Sequence, residues 1–408
     1  MSDRKRGLHR VELSLVTILS GCEINNFAGQ SAKSVCYNWY YLWQFIRGFT
    51  APGFLILSGF SFALATVGVW RQHIALSSAV WRRVRRFGLF LLLGYALHFP
   101  VHRIADIRWL NNDDWRAALQ VDILQVIGAS LLLLQGLVFL TRTPKRFAAV
   151  ALTASTVVVL ATVYVWAADW PRCLPATLAA YLNGSTGSLF PLFPWSAYVL
   201  LGAGLGMLYA SSQTASPLRF GRGVVLLGAA LAVSGQLLQD LGLRLYAALD
   251  FWHTSPTLFA TRAGVILLAL GLALHVKGFP VRGSGTVRAL AQQSLMVYFV
   301  HVCVLYGSTW NPGLRQYWGG SFDLPHAATA AALMIAFLLT TVFAWSRCKK
   351  VGGLRELAMR VSAVRPKDRP RLRFITDVEH RAAEGIHAVA RLSPLTQRAG
   401  QATSGTSQ

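Results

Sequence analysis

The side chains best able to do chemistry in this chain are ones that their surroundings should exclude. Glu23, Arg47, His98, Asp122, Gln125, Arg262 and His301 each interrupt or abut a long apolar run. An ionised group at mid-membrane costs on the order of 2.5–3.5 kcal/mol on insertion scales, so such residues face partners or wet cavities rather than lipid. Together they contain what a proton-transfer reaction needs, with histidines and carboxylates to accept or orient a proton and arginines to stabilise developing charge. Asp122 and Gln125 are three apart and share a helix face. A set of structural ion pairs, for example Arg47 with Asp122, accounts for the same residues. A second chemistry lies in WRRVRRF, residues 81–87, where Arg82, Arg83, Arg85 and Arg86 offer planar forks that match phosphate oxygens. Simple topology-setting charge is the other reading of that run.

The elements that must hold these residues are membrane helices. With 54% apolar and 13% charged residues and 13 tryptophans in 408, the chain lacks the polar surface of a soluble protein. An all-α, polytopic membrane bundle is the expectation, since a spanning backbone must satisfy its own hydrogen bonds. Apolar runs at 11–28, 42–66, 87–101, 117–140, 147–167, 190–210, 223–243, 257–275, 289–308 and 326–346 give about ten helices. Glu12 and Glu23 weaken the first run, and the third is short. In the second, Arg47 is the sole charge, and Gly48, Pro52, Gly53 and Gly59 allow kinks and close helix approach. No small-residue cleavage site follows MSDRKRGLHR, so the first run is expected to remain as an anchor.

A net charge of +23 would suggest nucleic acid in a soluble chain. Here the basic residues fall mostly in short loops on one side, in segments around Arg4, Arg71, Arg82, Arg142, Arg219 and Lys277, and the opposite side has few. The positive-inside rule places both termini in the cytoplasm, and nucleic acid is not expected as a partner. Residues 1–346 are expected to form the transmembrane domain and 347–408 a basic, solvated cytoplasmic tail, partly disordered, an amphipathic helix near 377–392 lying on anionic lipid being the alternative reading. With this topology Glu23, Arg47, His98, His102, Asp122, Gln125, Gln236, Gln239, Asp240, Arg262 and His301 share the outer leaflet.

Other patterns carry less. GAGLG at 202–206 lies inside an apolar run and reads as a packing face, not a dinucleotide loop. His98 and His102 have i, i+4 spacing, but Pro100 breaks the helix between them and no HExxH glutamate is present, so no metal is expected. The five cysteines form no cluster; Cys36 and Cys173 pair only if both face an oxidising compartment. The Asn183–Ser185 sequon is meaningful only in a eukaryotic source.

The blocks FIRGFTAPGFLILSGFSFAL (45–64), RRVRRFGLFLLLGYALHF (82–99), VDILQVIGASLLLL (121–134), FPLFPWSAYVLLGAGLG (190–206) and AQQSLMVYFVHVCVLYG (291–307) resemble, in order, those of the heparan-alpha-glucosaminide N-acetyltransferase family and its bacterial relatives. The resemblance spans about residues 1–345. It implies a membrane acyltransferase of ten or eleven helices that takes acetyl from acetyl-CoA and passes it across the membrane to a sugar hydroxyl or amine. By position in the blocks, Arg47, Asp122, Gln125, Trp195 and His301 match motif residues, and Arg82 to Arg86 match the basic stretch before the third helix. One departure stands out: where the family usually carries an early histidine, GCEINNF at 21–27 has Glu23.

Residues and resemblance together give an expected mechanism. Arg82, Arg83, Arg85 and Arg86 hold the phosphates of cytoplasmic acyl-CoA, and the thioester reaches the outer polar cluster. His301, His98 or Glu23 takes a proton from the acceptor, Asp122 orients the base, and Arg47 or Arg262 stabilises the oxyanion. Arg47, Gln125, Trp195 and Arg262 are the expected substrate-binding residues, with acetyl-CoA as co-substrate and no metal. Membrane lipid, acyl-CoA and a sugar or glycan acceptor are the expected partners, the sequence leaves monomer and homodimer both open, and the expected location is a bacterial inner membrane. The rival reading is a transporter or flippase of a glycosylated or acylated lipid, or a relative without catalysis. Against transport, no inverted repeat relates the two halves.

Overall fold

Seven helices among the described residues are long and apolar enough to cross a membrane. The computed structural model describes residues 46, 48–100, 104–212, 217–245, 251–275, 293–308, 311–319, 321–322 and 324–363. The first expected span, Glu23, Arg47, His102, Cys36 and the 377–392 stretch lie outside them.

The order begins with α1 (Thr50–Val67), a four-residue α2 (Trp70–His73) and α3 (Ser78–His98). A short 3-10 turn at Ile104–Trp109 leads to α4 (Asn112–Ala118), α5 (Ile123–Thr141) and α6 (Pro144–Ala167). After α7 (Ala176–Ala179) come α8 (Leu192–Ser212), α9 (Pro217–Leu237), α10 (Gln239–Leu245), α11 (Phe251–Thr254) and α12 (Pro256–His275). The last part holds α13 (Ser294–Leu305), two antiparallel two-residue strands β1 (Gly307–Ser308) and β2 (Asn311–Pro312), α14 (Leu314–Trp318) and α15 (Leu324–Ala363). By its contacts the chain forms two units, Met1–Phe343 and Ala344–Gln408; the architecture below is that of the first.

Local signals set most of the boundaries. Ser77 caps α3, its hydroxyl accepting from Val80 N at 3.3 Å. That helix stops at His98 because Phe99, preceding Pro100, is extended. Arg142 ends α5 with a left-handed φ of 55°, and Thr143 with Pro144 starts α6 at once. Three expectations change. Within the second expected span a turn at Gly48 and Phe49 precedes the helix Thr50–Val67, so Pro52 falls in its first turn, where no intrahelical N–H is lost; residues 42–45 and 47 lie outside the described residues. The third expected span is part of a 21-residue helix that takes in the arginine run, since its capping serine precedes it, and with those charges it is not among the seven helices apolar enough to cross a membrane. The seventh runs Pro217–Leu237, which leaves Gln236 and Asp240 exposed and Gln236 bonded to Gln239 at 2.9 Å; these three do not join a buried cluster.

The core is built on α1 and α8, with α5 and α6 against them. Gly59 and Gly202 allow this: a Cβ on Gly59 would collide with Val199 O, and one on Gly202 with Ile56 O. GAGLG is therefore a packing face. The pair α9 and α12 lies along the same core through Val224, Leu267 and Leu270, and α13 packs on α15 through Val297, Leu305, Ala331 and Leu338.

Candidate functional site

Two helix ends meet to make the site. His98 is the last residue of α3, and Asp122 is the residue that caps α5. Asp122 lies one position outside its helix, not within it, because its carboxylate does better as a cap. Oδ1 accepts from Ile123 N at 2.7 Å, while Gln125 Oε1 accepts from Asp122 N at 3.2 Å. Gln125 is fully buried and its amide also donates to Gln120 O at 3.2 Å. Space for that amide comes from Gly94 on α3, where any Cβ would run into Gln125.

With Oδ1 engaged, Oδ2 of Asp122 faces His98 Nε2 at 3.8 Å. The other ring nitrogen, Nδ1, lies 3.0 Å from Gly94 O. A carbonyl can only accept, so a neutral His98 carries its proton on Nδ1 and presents a lone pair at Nε2. The 3.8 Å gap is too long for a hydrogen bond and leaves room for a third group to exchange a proton there. Both side chains are about a fifth to a quarter exposed, so the pair is reachable.

A folded-back segment before α8 walls this pair. Val121 N donates to Ser188 Oγ at 3.1 Å, and Val121 O accepts from Leu189 N and Phe190 N at 3.1 and 3.0 Å. Tyr95, three residues before His98, donates to Tyr181 at 2.9 Å. Burial pushes the Tyr181 hydroxyl well above its ordinary range, so it remains neutral. Asn183 is buried with its amide donating to Ala168 O at 3.0 Å, which removes the sequon from any glycosylating enzyme. Phe190 then packs at a tilt on Trp195, ring centroids 4.6 Å apart, which leads to Tyr198, Phe259 and a narrow pocket bordered by Arg262.

The other end of α3 carries the arginines. Arg82, Arg85 and Arg86 are exposed and, at i, i+3 and i+4, share one face. Arg83 turns inward, donating to Thr66 Oγ1 at 2.9 Å and Gln135 Oε1 at 3.4 Å, its guanidinium 4.8 Å over the Phe62 ring. The four therefore divide into three available cations and one that ties α3 to α1 and α5.

Of the sequence-predicted residues, His98, Asp122 and Gln125 come together, and Trp195 and Arg262 border one pocket. His301 is 6% exposed on α13, edge-on to Tyr298 and Tyr306. Sequence reasoning missed Gly94, Tyr95, Tyr181, Ser188 and Phe190. The signal available was the polar NGSTGS stretch at 183–188 ahead of Phe190, an unusual density of hydrogen-bonding residues between two apolar runs.

The described residues thus form a multi-pass helical bundle with a reachable histidine–carboxylate pair where two helices end. The chain belongs to the heparan-alpha-glucosaminide N-acetyltransferase catalytic family, whose model matches residues 26–237, just over half of it. His98, Asp122, Gln125, Trp195 and the arginine run fall inside the match; Arg262 and His301 fall beyond it. Among curated proteins, none matches the chain.

Proposed function

We propose that this protein moves an acetyl or related acyl group from cytoplasmic acyl-CoA to a hydroxyl or amine of a sugar or glycan on the far side of the membrane, with His98 as the general base. The observation that carries this reading is α3 itself. It bears exposed Arg82, Arg85 and Arg86 in its first turns and the His98–Asp122 pair at its other end, 12 to 16 residues and about 18–24 Å away. The positive-inside rule puts the arginine end in the cytoplasm, where acyl-CoA is made, and the histidine end on the acceptor side.

Arg82, Arg85 and Arg86 suit the phosphates of acyl-CoA, three guanidinium forks on one face. His98 Nε2 takes the proton of the acceptor O–H or N–H as its heteroatom bonds to the thioester carbonyl carbon. Asp122 stabilises the imidazolium so formed, and the Nδ1 bond to Gly94 O keeps the ring oriented. When the C–S bond breaks, the thiolate leaves as coenzyme A and receives the proton from His98. Arg47, expected at the oxyanion, lies outside the described residues. Glu23 and His301 become the competing candidates for the base.

The test uses purified full-length protein in lipid vesicles with label in the acetyl group of acetyl-CoA on the arginine side. Labelled amino sugar or glycan recovered on the opposite side supports the reading; hydrolysis alone, or no consumption with any acceptor, removes it.

A further inference from the structure

One face of α3 is exposed from its first turn to its middle. Trp81, Leu89 and Leu92 are 64%, 45% and 63% exposed, and Arg82, Arg85 and Arg86 are exposed with them. Positions 81, 85, 89 and 92 recur every three or four residues, so they form one stripe, with 82 and 86 along its edge. The stripe changes character along the helix. An indole and three guanidinium groups occupy its early turns, and two leucines follow, Leu92 standing seven residues or about 10 Å beyond Arg85. Among the described residues Arg82 donates to Ser78 Oγ at 3.3 Å, and none of the three arginines pairs with a carboxylate. Most of their donors therefore remain for an acidic group.

On a helix in a membrane, exposed leucines meet acyl chains, tryptophan near the helix end sits at headgroup depth, and a basic cluster beside the apolar part attracts acidic headgroups. The stripe offers these in the order in which one phospholipid presents its parts, phosphate first and chains deeper. Guanidinium forks match phosphate oxygens in pairs. We propose that this face of α3 binds an acidic phospholipid of the adjoining leaflet, its phosphate on Arg82, Arg85 and Arg86, its headgroup against Trp81 and its chains along Leu89 and Leu92. The lipid and the phosphates of acyl-CoA compete for the same forks, so membrane composition regulates donor binding. That consequence rests on the acyl-transfer reading, whereas the lipid site itself does not.

Fluorescence quenching tests it on the full-length protein in phosphatidylcholine vesicles, without acyl donor, with brominated phosphatidylglycerol or brominated phosphatidylcholine as the probe. The Trp81 signal is the difference between the parent and Trp81→Phe. Brominated phosphatidylglycerol should quench it at about a fifth of the mole fraction that brominated phosphatidylcholine needs, or less, the preference that one well-placed cation supplies. Added salt should narrow the gap. Glutamine at Arg82, Arg85 and Arg86 together should close it, while glutamine at Lys145 and Arg146, a basic pair before another helix, should leave it open. Should the triple variant insert the wrong way round, Arg85→Gln and Arg85→Lys decide, with the lysine variant retaining more of the preference. Equal quenching by the two lipids, or an unchanged preference in a correctly inserted arginine variant, overturns the proposal. So does an equal loss in the Lys145 and Arg146 variant, which would reduce the effect to general leaflet charge, or loss of the preference to added inorganic phosphate, which would make the face a general anion site. A lipid preference in a protein that does not bind acetyl-CoA removes the donor assignment and leaves the lipid site; acetyl-CoA binding without a lipid preference removes the lipid site alone. Where both hold, phosphatidylglycerol should weaken acetyl-CoA binding more in the parent than in the triple variant.

Discussion

His98 and Asp122 face each other across 3.8 Å, one the last residue of α3 and the other the cap of α5. Neither could hold this position from mid-helix. The separation is set by where two helices end, and those ends are fixed by the residue before Pro100 and by the capping exchange between Asp122 and Gln125. The carboxylate has two tasks, one per oxygen, which can be separated by substitution. Asn caps helices as well as Asp does but carries no charge. Asp122→Asn should therefore keep the thermal midpoint near that of the parent while lowering acyl transfer at least tenfold. Asp122→Ala should lose both, with about 0.5–2 kcal/mol of stability gone with the cap. Full activity in Asp122→Asn would leave the residue a cap only.

Gly94 sets the approach of α3 to α5, because the Gln125 amide occupies the space of its missing side chain. Gly94→Ala should destabilise by roughly 1–3 kcal/mol, the usual range for overpacking. Removing the obstructing atoms should relieve it: Gln125→Ala ought to be less harmful in the Gly94→Ala background than alone, a coupling readable in a double-mutant cycle of unfolding midpoints. Simple additivity would contradict the contact.

The arginine run should split in experiment as it does in space. Arg83→Met leaves the buried Gln135 Oε1 without its donor and should lower stability by roughly 1–3 kcal/mol. Glutamine at exposed Arg82, Arg85 and Arg86 should leave the thermal midpoint where it was but weaken acyl-CoA binding and reduce its salt dependence. Unaltered acyl-CoA affinity in the triple variant would remove the donor assignment.

His73, at the end of α2, is buried, and its Nδ1 has no hydrogen-bond partner among the described residues. Burial, and secondarily the charge of Arg83, hold it below the ordinary histidine value. The folded state thus prefers neutral His73, while the unfolded chain protonates near pH 6.5. Its contribution to stability is complete above about 6.5 and is lost as pH falls below that. The midpoint of the parent should drop between pH 7 and 5, and His73→Gln should flatten that slope. Parallel curves for the two proteins would assign the acid sensitivity elsewhere.

Much of the bundle was legible because length and hydropathy are summed over about twenty residues, where a single misread position changes little. Boundaries were less so. The apolar run from Leu42 gave no sign of the turn at Gly48 and Phe49 that precedes α1, and a charged run hid the start of α3 behind its Ser77 cap. At the site, His98, Asp122 and Gln125 could be named because polar groups beside apolar runs are conspicuous. Their grouping could not be read, since it depends on Gly94, whose meaning is the absence of a side chain, and on the Ser188–Phe190 segment nearly seventy residues away. Depth alone did not distinguish His98 from His301: both lie near helix ends, but a carboxylate faces the first and tyrosine rings flank the second.

The most direct measurement is single-turnover acyl transfer from labelled acetyl-CoA by the parent and by His98→Gln, Glu23→Gln and His301→Gln, with acetyl-CoA binding measured in each. With His98 as base, the parent acetylates a sugar acceptor, and His98→Gln binds acetyl-CoA normally yet transfers 10²–10⁴-fold more slowly, the usual contribution of a positioned base; the other two stay close to the parent. Transfer by His98→Gln at the parental rate, or its loss in Glu23→Gln or His301→Gln instead, would contradict it.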